Sequence, residues 1–202
     1  MQKPFVRLCL AIRTFTDCNK AINSTKTSMA ISSTINKLSV TIANMDSHYY
    51  QSHELTLAQH PSETDLRFMM RLIAFMANAS ERLSFTKGMD SDEEPDLWQK
   101  TLTDEIELWI DLGQPDEKRI RKACGRAQQV IIYTYQERKA KVWWEQQQAK
   151  LQRFNNLKVF HINAQGVEAM IARSMKLQCN IQDGEIYLSD ENSSLVITLD
   201  RL

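Results

Sequence analysis

Carboxylates at the ends of strands and helices are the residues of this chain whose placement suits chemistry. Asp111 sits near the end of the alternating run IELWIDL (106–112), just ahead of Gly113, Gln114 and Pro115. Asp96 follows Pro95 in DEEPD (92–96), and Glu63 opens a helical pattern after Pro61 and Ser62. A hard cation such as Mg²⁺ or Mn²⁺ takes carboxylate oxygens at about 2.1 Å and uses phosphates as further ligands. Side chains that share such an ion must converge. Glu107 and Asp111 face the same way on a strand but stand roughly 13 Å apart. Glu105 and Glu107 are about 7 Å apart and would still have to bend together. One acid of this strand therefore needs acids from elsewhere. Asp111, at the strand end where clefts of α/β sheets form, is the best placed, with Asp96 second and Glu63 third. The competing reading is solvent: Glu105 and Glu107 as a wet strand face, and DSDEEPD as a solvated loop.

Other chemistries find little support. The sequence has no Walker A loop, no GxGxxG and no GxSxG elbow. His48, His53, His60 and His161 form no HExxH pair. Cys9, Cys18, Cys124 and Cys179 form no CxxC and no zinc spacing. Few, scattered thiols suit a reducing compartment, so a cytoplasmic protein is expected. The formal net charge is zero, so no overall basic field advertises nucleic acid. No apolar run approaches the ~20 residues of a membrane helix.

The elements that must position these acids follow from periodicity. Residues 33–45, marked by Ile35, Val40 and Ile42, and 52–60 read as an opening β-hairpin around a turn at 44–51. A helix is expected over 63–80, started by a Ser62/Asp65 capping box, with Leu66, Met69, Met70, Ile73 and Ala77 as its apolar stripe. A short strand at 83–88 and an acidic loop at 89–104 come next. In the 106–112 strand, Ile106, Leu108, Ile110 and Leu112 share the core face. Pro115 then starts a helix of about four turns, which opens acidic and turns basic as the macrodipole prefers. Lys118, Arg119, Lys122 and Arg126 line one of its sides. The nearly all-apolar VIIYTY (130–135) is a central strand and completes a βαβ unit. A helix at 141–154, a strand at 157–162, a short helix at 167–174 and C-terminal β-hairpins follow, one of them turned by Asp183-Gly184. The expectation is one α/β domain with a mixed sheet.

Residues 1–28 differ from the rest. They hold five basic residues and one acidic, a charge of +4, which leaves −4 on residues 29–202. Their apolar stretch is short and broken by Arg7, unlike a secretory signal. In composition they resemble a transit peptide. We favour an upstream translation start, with the folded domain spanning 29–202.

At LAQHPSETDLRFMMRLIAF (57–75), DEEPDLW (92–98), LWIDLGQPDEKRIRKAC (108–124), the Trp143-Trp144 pair and IQDGEIYLSD (181–190), the chain resembles the bacterial YaeQ family. The resemblance runs from about Met29 to the end. It implies a fold similar to restriction endonucleases of the PD-(D/E)XK superfamily: a mixed central sheet flanked by helices. In those nucleases an Asp, an Asp or Glu and a Lys converge on Mg²⁺ and the scissile phosphate. Carried over, Pro95-Asp96 is the PD, Asp111 the strand acid and Glu63 the helix acid. The lysine expected two residues after Asp111 is Gly113 here. Lys122 on the next helix, or Lys118, is the candidate replacement, and Gln114 would position substrate.

The resemblance thus implies a Mg²⁺- or Mn²⁺-dependent phosphodiesterase acting on DNA or RNA. Asp96, Asp111 and Glu63 would hold the ion, and Lys122 would orient water or steady developing charge. The alternative is a non-catalytic protein on a nuclease-like scaffold, touching nucleic acid or the transcription machinery through its basic helix face.

Overall fold

The computed structural model describes residues 33–86 and 93–202. The 1–28 extension and part of the acidic loop lie outside those residues.

The opening hairpin consists of β1 (Thr34–Asn44) and β2 (Tyr49–Gln59), antiparallel over their whole length. Leu38, Val40 and Ile42 face the core, whereas Ile35 is exposed, so the inward set starts one step later than its apolar residues suggest. Helix α1 (Asp65–Ala77) follows, then β3 (Leu83–Phe85), β4 (Leu97–Lys100) and β5 (Ile106–Leu112). Helix α2 (Glu117–Arg126), β6 (Ala127–Thr134), α3 (Glu137–Leu151) and β7 (Leu157–Asn163) form two consecutive parallel crossovers. Strands β8 (Ser174–Gln182), β9 (Glu185–Ser189) and β10 (Ser194–Arg201) close the chain. All ten strands join one mixed sheet in the order β2-β1-β8-β9-β10-β7-β6-β5-β4-β3.

The expected apolar stripe on α1 is too narrow. Every residue from Phe68 to Met76 is buried, Arg71 included. A helix apolar nearly all round must be enclosed, and the sheet encloses it. Phe75 meets His53 of β2 edge-on at 5.3 Å and stacks on Phe85 of β3 at 4.9 Å. Those strands are the two ends of the sheet order. The sheet therefore curls around α1, as a long twisted sheet tends to do. On the other face, α2 and α3 cover β5–β7 over a second core built on Trp109, Ile120, Val130, Ile132 and Trp143.

Four local expectations change. The cap of α1 is Thr64, whose hydroxyl accepts from the Arg67 N–H at 3.2 Å. Ser62 instead bonds His60. Thr64→Ala should therefore cost about 1 kcal/mol in urea unfolding, while Ser62→Ala stays within about 0.5. Equal costs would return the cap to Ser62. Helix α2 has ten residues and is capped by Asp116, which accepts from the Arg119 N–H at 2.7 Å, so Pro115 precedes the helix. In β5 the pairing with β4 slips between Gln99 and Lys100, with Gln99 opposite Leu108 and Lys100 opposite Ile106. This bulge at Glu107 turns Ile106 to the Trp109 side, away from the core of Ile110 and Leu112. The short helix at 167–174 is only a 3-10 turn, Val167–Met170, because Ser174 already starts β8. The Asp183-Gly184 turn is as expected: both residues have positive φ, 53° and 77°.

Candidate functional site

The curled sheet and α1 bring the three acids of interest to one region. Glu63 lies just ahead of α1. Asp96 immediately precedes β4, and its backbone N–H donates to Ile110 O of β5 at 3.0 Å, next to Asp111. All three side chains are buried.

Each carboxylate is held by protein donors. Asp96 Oδ1 accepts from Arg67 Nη2 at 2.7 Å, and Oδ2 accepts from the Leu112 N–H at 2.9 Å. Arg67 Nη1 reaches Glu63 Oε1 at 3.2 Å, and Arg71 Nη2 reaches Glu63 Oε2 at 2.9 Å. Arg119 forks onto Asp111, Nε to Oδ2 at 3.0 Å and Nη2 to Oδ1 at 2.8 Å. The Trp109 indole N–H adds a bond to Asp111 Oδ2 at 2.9 Å. Three carboxylates face three guanidiniums, and all six carboxylate oxygens accept at least one hydrogen bond. Such charge-assisted, partly bidentate bonds are the strong ones.

Burial pushes the Asp96 carboxyl above its ordinary range, and Arg67 and the Leu112 N–H pull only part of the way back. Burial raises Glu63 likewise, against Arg71 and Arg67. It also lowers the Arg71 guanidinium despite Glu63. Burial works against the charge of Arg67 too, but Asp96 outweighs it and the group is raised. The Tyr135 phenol, raised by burial, feels the charges of Arg67, Asp96 and Glu63 and so adjoins the network.

As they stand, these residues do not fit a hard divalent cation. Their oxygens are aimed at guanidinium and amide donors, and their charge is balanced. Among the described residues no three His, Cys, Asp or Glu side chains come together closely enough to hold a metal ion. Lys122 forms an ion pair with Glu93. Gln114 donates from Nε2 to Tyr135 O at 3.2 Å. The base on Asp111 is Arg119, three residues before Lys122.

Glu63 and Arg67 stand a turn apart in the sequence and do pair, at 3.2 Å, whereas the partners of Asp96 and Asp111 were not expected. One signal was available: Glu63, Arg67 and Arg71 repeat every four residues, the spacing of one helix face. Nothing local reveals the pairing of Arg67 with Asp96, which lie 29 residues apart.

The layer of α2 and α3 has a different character. Together these helices hold nine basic and three acidic residues, which leaves 16 basic and 22 acidic for the rest of the chain. Lys118, Arg121, Arg138, Lys139 and Lys141 are exposed. Glu117 of α2 pairs with Lys150 of α3 at 3.7 Å and with Arg153, just past the end of α3, at 2.7 Å.

A family model described as YaeQ protein matches residues 29–199. YaeQ of Escherichia coli (strain K12) is 45% identical over 174 residues, which covers 85% of this chain and 96% of that protein. YaeQ of Salmonella typhi is 44% identical over 175 residues, with the same coverage. The crystal structure of YaeQ protein from Xanthomonas axonopodis pv. citri is similar at a TM-score of 0.81 and 41% identity, over 84% of this chain and 98% of that one. That of YaeQ from Pseudomonas syringae has a TM-score of 0.80 at 28% identity, over 84% and 96%.

Proposed function

We propose that this chain, which belongs to the YaeQ family, binds nucleic acid through the basic layer of α2 and α3, on a nuclease-like scaffold whose buried acids hold the structure together. The observation that carries this reading is the charge asymmetry: nine basic residues against three acidic on two neighbouring helices of a chain with no net charge. Phosphate backbones recognise such a layer without reading base edges. The closed carboxylate–arginine network supports a scaffold role for Glu63, Asp96 and Asp111. Each already has a guanidinium partner, so binding an ion would first require that partner to leave.

One observation favours the second reading, a Mg²⁺- or Mn²⁺-dependent phosphodiesterase. Asp111 stands on β5 and Asp96 just ahead of the neighbouring β4, and Arg67 links Asp96 to Glu63. That reading requires Arg67 and Arg119 to release their carboxylates.

Anisotropy of a labelled duplex and a labelled single strand, titrated with the full chain across salt concentrations, tests the proposal. Binding should weaken as salt rises. Lys118→Ala/Arg121→Ala/Lys141→Ala should reduce the salt slope by about 0.9 for each duplex phosphate that the variant no longer neutralises. No salt-sensitive binding at about 50 mM salt would sink the proposal. Strand cleavage on adding Mn²⁺, abolished by Asp111→Asn, would establish the second reading in its place.

A further inference from the structure

The two ends of the sheet are unlike. Strand β3 is three residues long, the kind of short edge that discourages pairing with another chain. Strand β2 runs for eleven residues in unbroken register with β1. Edge strands of that length are ordinarily blunted by proline, lysine, a bulge or an inward charge. YYQSHELTLAQ has no proline, no lysine and no arginine. Its one acid, Glu54, points away from the core and accepts from the Ser39 hydroxyl at 2.6 Å. No described strand pairs with the outer side of β2.

The bonds of the neighbouring strands show which backbone groups face outward. The Lys37 N–H donates to Arg173 O at 2.8 Å, and the Met45 N–H to Ile181 O at 2.9 Å, both on the β8 side of β1. Odd residues of β1 therefore turn their backbone groups to β8, and even ones to β2. Even residues of β1 oppose odd residues of β2. Tyr50, Ser52, Glu54, Thr56 and Ala58 must then turn theirs to the outer edge. Ala58 does so: its carbonyl accepts from Arg71 Nη2 at 3.0 Å. That guanidinium closes one end of the edge. Tyr50, Ser52, Glu54 and Thr56 are exposed, and no described group bonds their outward N–H or C=O.

We propose that this edge pairs with β2 of a second copy of the chain, antiparallel about a two-fold axis at His53. The four open residues set the register. Tyr50 of one copy opposes Thr56 of the other, and Ser52 opposes Glu54. Opposed residues of this kind exchange both of their N–H···O bonds, so the four N–H and four C=O groups of each copy are met. Ala58 stays with Arg71. Moving the axis to Glu54 would set two carboxylates directly opposite each other, which is unfavourable, and would call on the occupied Ala58. Pairing β2 with β3 of another copy would match only three of its eleven residues, and such a head-to-tail contact need not close. On the core side, the half-buried Tyr49 and Leu55 lie against Leu57 and Gln51 of the other copy.

The test is sedimentation velocity of the full chain, without nucleic acid, over a range of concentrations. A reversible monomer–dimer equilibrium with nothing larger is expected. Ser52→Pro removes an outward N–H, a place where an edge strand tolerates proline, and should abolish the dimer. Ser52→Lys sets a lysine opposite Glu54 of the other copy twice over, and should tighten the dimer at least about twofold at low salt. Ser52 is exposed, so the lysine variant should melt at the wild-type temperature, and it decides the matter if the proline variant fails to fold. Four results overturn the proposal. A monomer at every concentration up to about 1 mM would leave the edge to water or to a foreign strand. Open-ended oligomers would mark a contact that does not close. A dimer untouched by Ser52→Pro would lie on another face. A dimer weakened by Ser52→Lys would have another register.

Discussion

Asp96→Ala should cost about 3–5 kcal/mol of folding stability. The carboxylate is buried and serves two donors on different elements: the Arg67 guanidinium of α1 and the Leu112 N–H at the end of β5. Alanine leaves both without that acceptor. Arg67 keeps Glu63 at 3.2 Å, a longer bond than the 2.7 Å one removed, and its side chain is only 17% exposed, so water replaces little of it. The Leu112 N–H becomes a buried donor without an acceptor, which alone costs about 1–3 kcal/mol. Urea unfolding measures the sum as a lowered midpoint at unchanged slope. Asp96→Asn keeps an acceptor oxygen for Leu112 and should recover part of the deficit. The result bears on function as well. An acid kept only for chemistry can often be removed with no fall in stability, or with a gain. If Asp96→Ala changes stability by less than about 1 kcal/mol, the network is not holding α1 to the sheet. The scaffold role proposed for these acids would then fail.

Legibility in the sequence varied with the range of the physics. Elements set by periodicity and turn chemistry could be read: the opening hairpin, the β5–α2–β6 unit, the central VIIYTY strand and the Asp183-Gly184 turn. Their signals lie within a few residues of one another. The enclosure of α1 could not be read in the same way. Its buried flank includes Phe68, Leu72, Phe75 and Met76, and what covers them is a sheet whose two edges are β2 and β3, on opposite sides of the helix in sequence. The bulge at Glu107 was invisible because IELWIDL alternates without a break, and only pairing with the short β4 moves Ile106 to the other side. In the site, residue type drew attention to Asp111, Asp96 and Glu63, and the fold does bury all three. For the expected lysine the sequence offered Lys122 or Lys118, and from the same basic run the structure sets Arg119 on Asp111 and Lys122 on Glu93. Which of them reaches Asp111 depends on the rotation of α2 against β5. That rotation is fixed by Ile120 and Ala123 packing in the second core.

Arg71→Met should cost a similar amount at neutral pH, about 3–5 kcal/mol, and the cost should depend on pH in a direction that identifies its cause. Arg71 lies inside α1's buried flank. It donates to Glu63 Oε2 and to Ala58 O of β2 at 3.0 Å, and its guanidinium covers the rings of Phe68 and Phe85. Methionine fills much of that volume and leaves Glu63 with Arg67 alone. Burial already holds the Glu63 carboxyl above its ordinary range, and Arg71 is the largest influence pulling it down. A carboxyl raised in the folded state favours the fold fully below its unfolded value, and that contribution is lost as pH rises through the folded value. Removing Arg71 raises the folded value further and widens this window. The variant's deficit should therefore be full at about pH 7.5 and shrink toward about pH 5, as Glu63 takes up a proton and needs no counter-charge. Urea unfolding of both proteins across that range measures the difference directly. A deficit that stays constant with pH would trace the effect to packing and to the Ala58 bond, not to an uncompensated Glu63. Adding Glu63→Gln to Arg71→Met supplies the complementary check. With the stranded charge gone, stability at neutral pH should rise above that of the single variant, because a buried ion pair costs most when one partner is removed and the other remains.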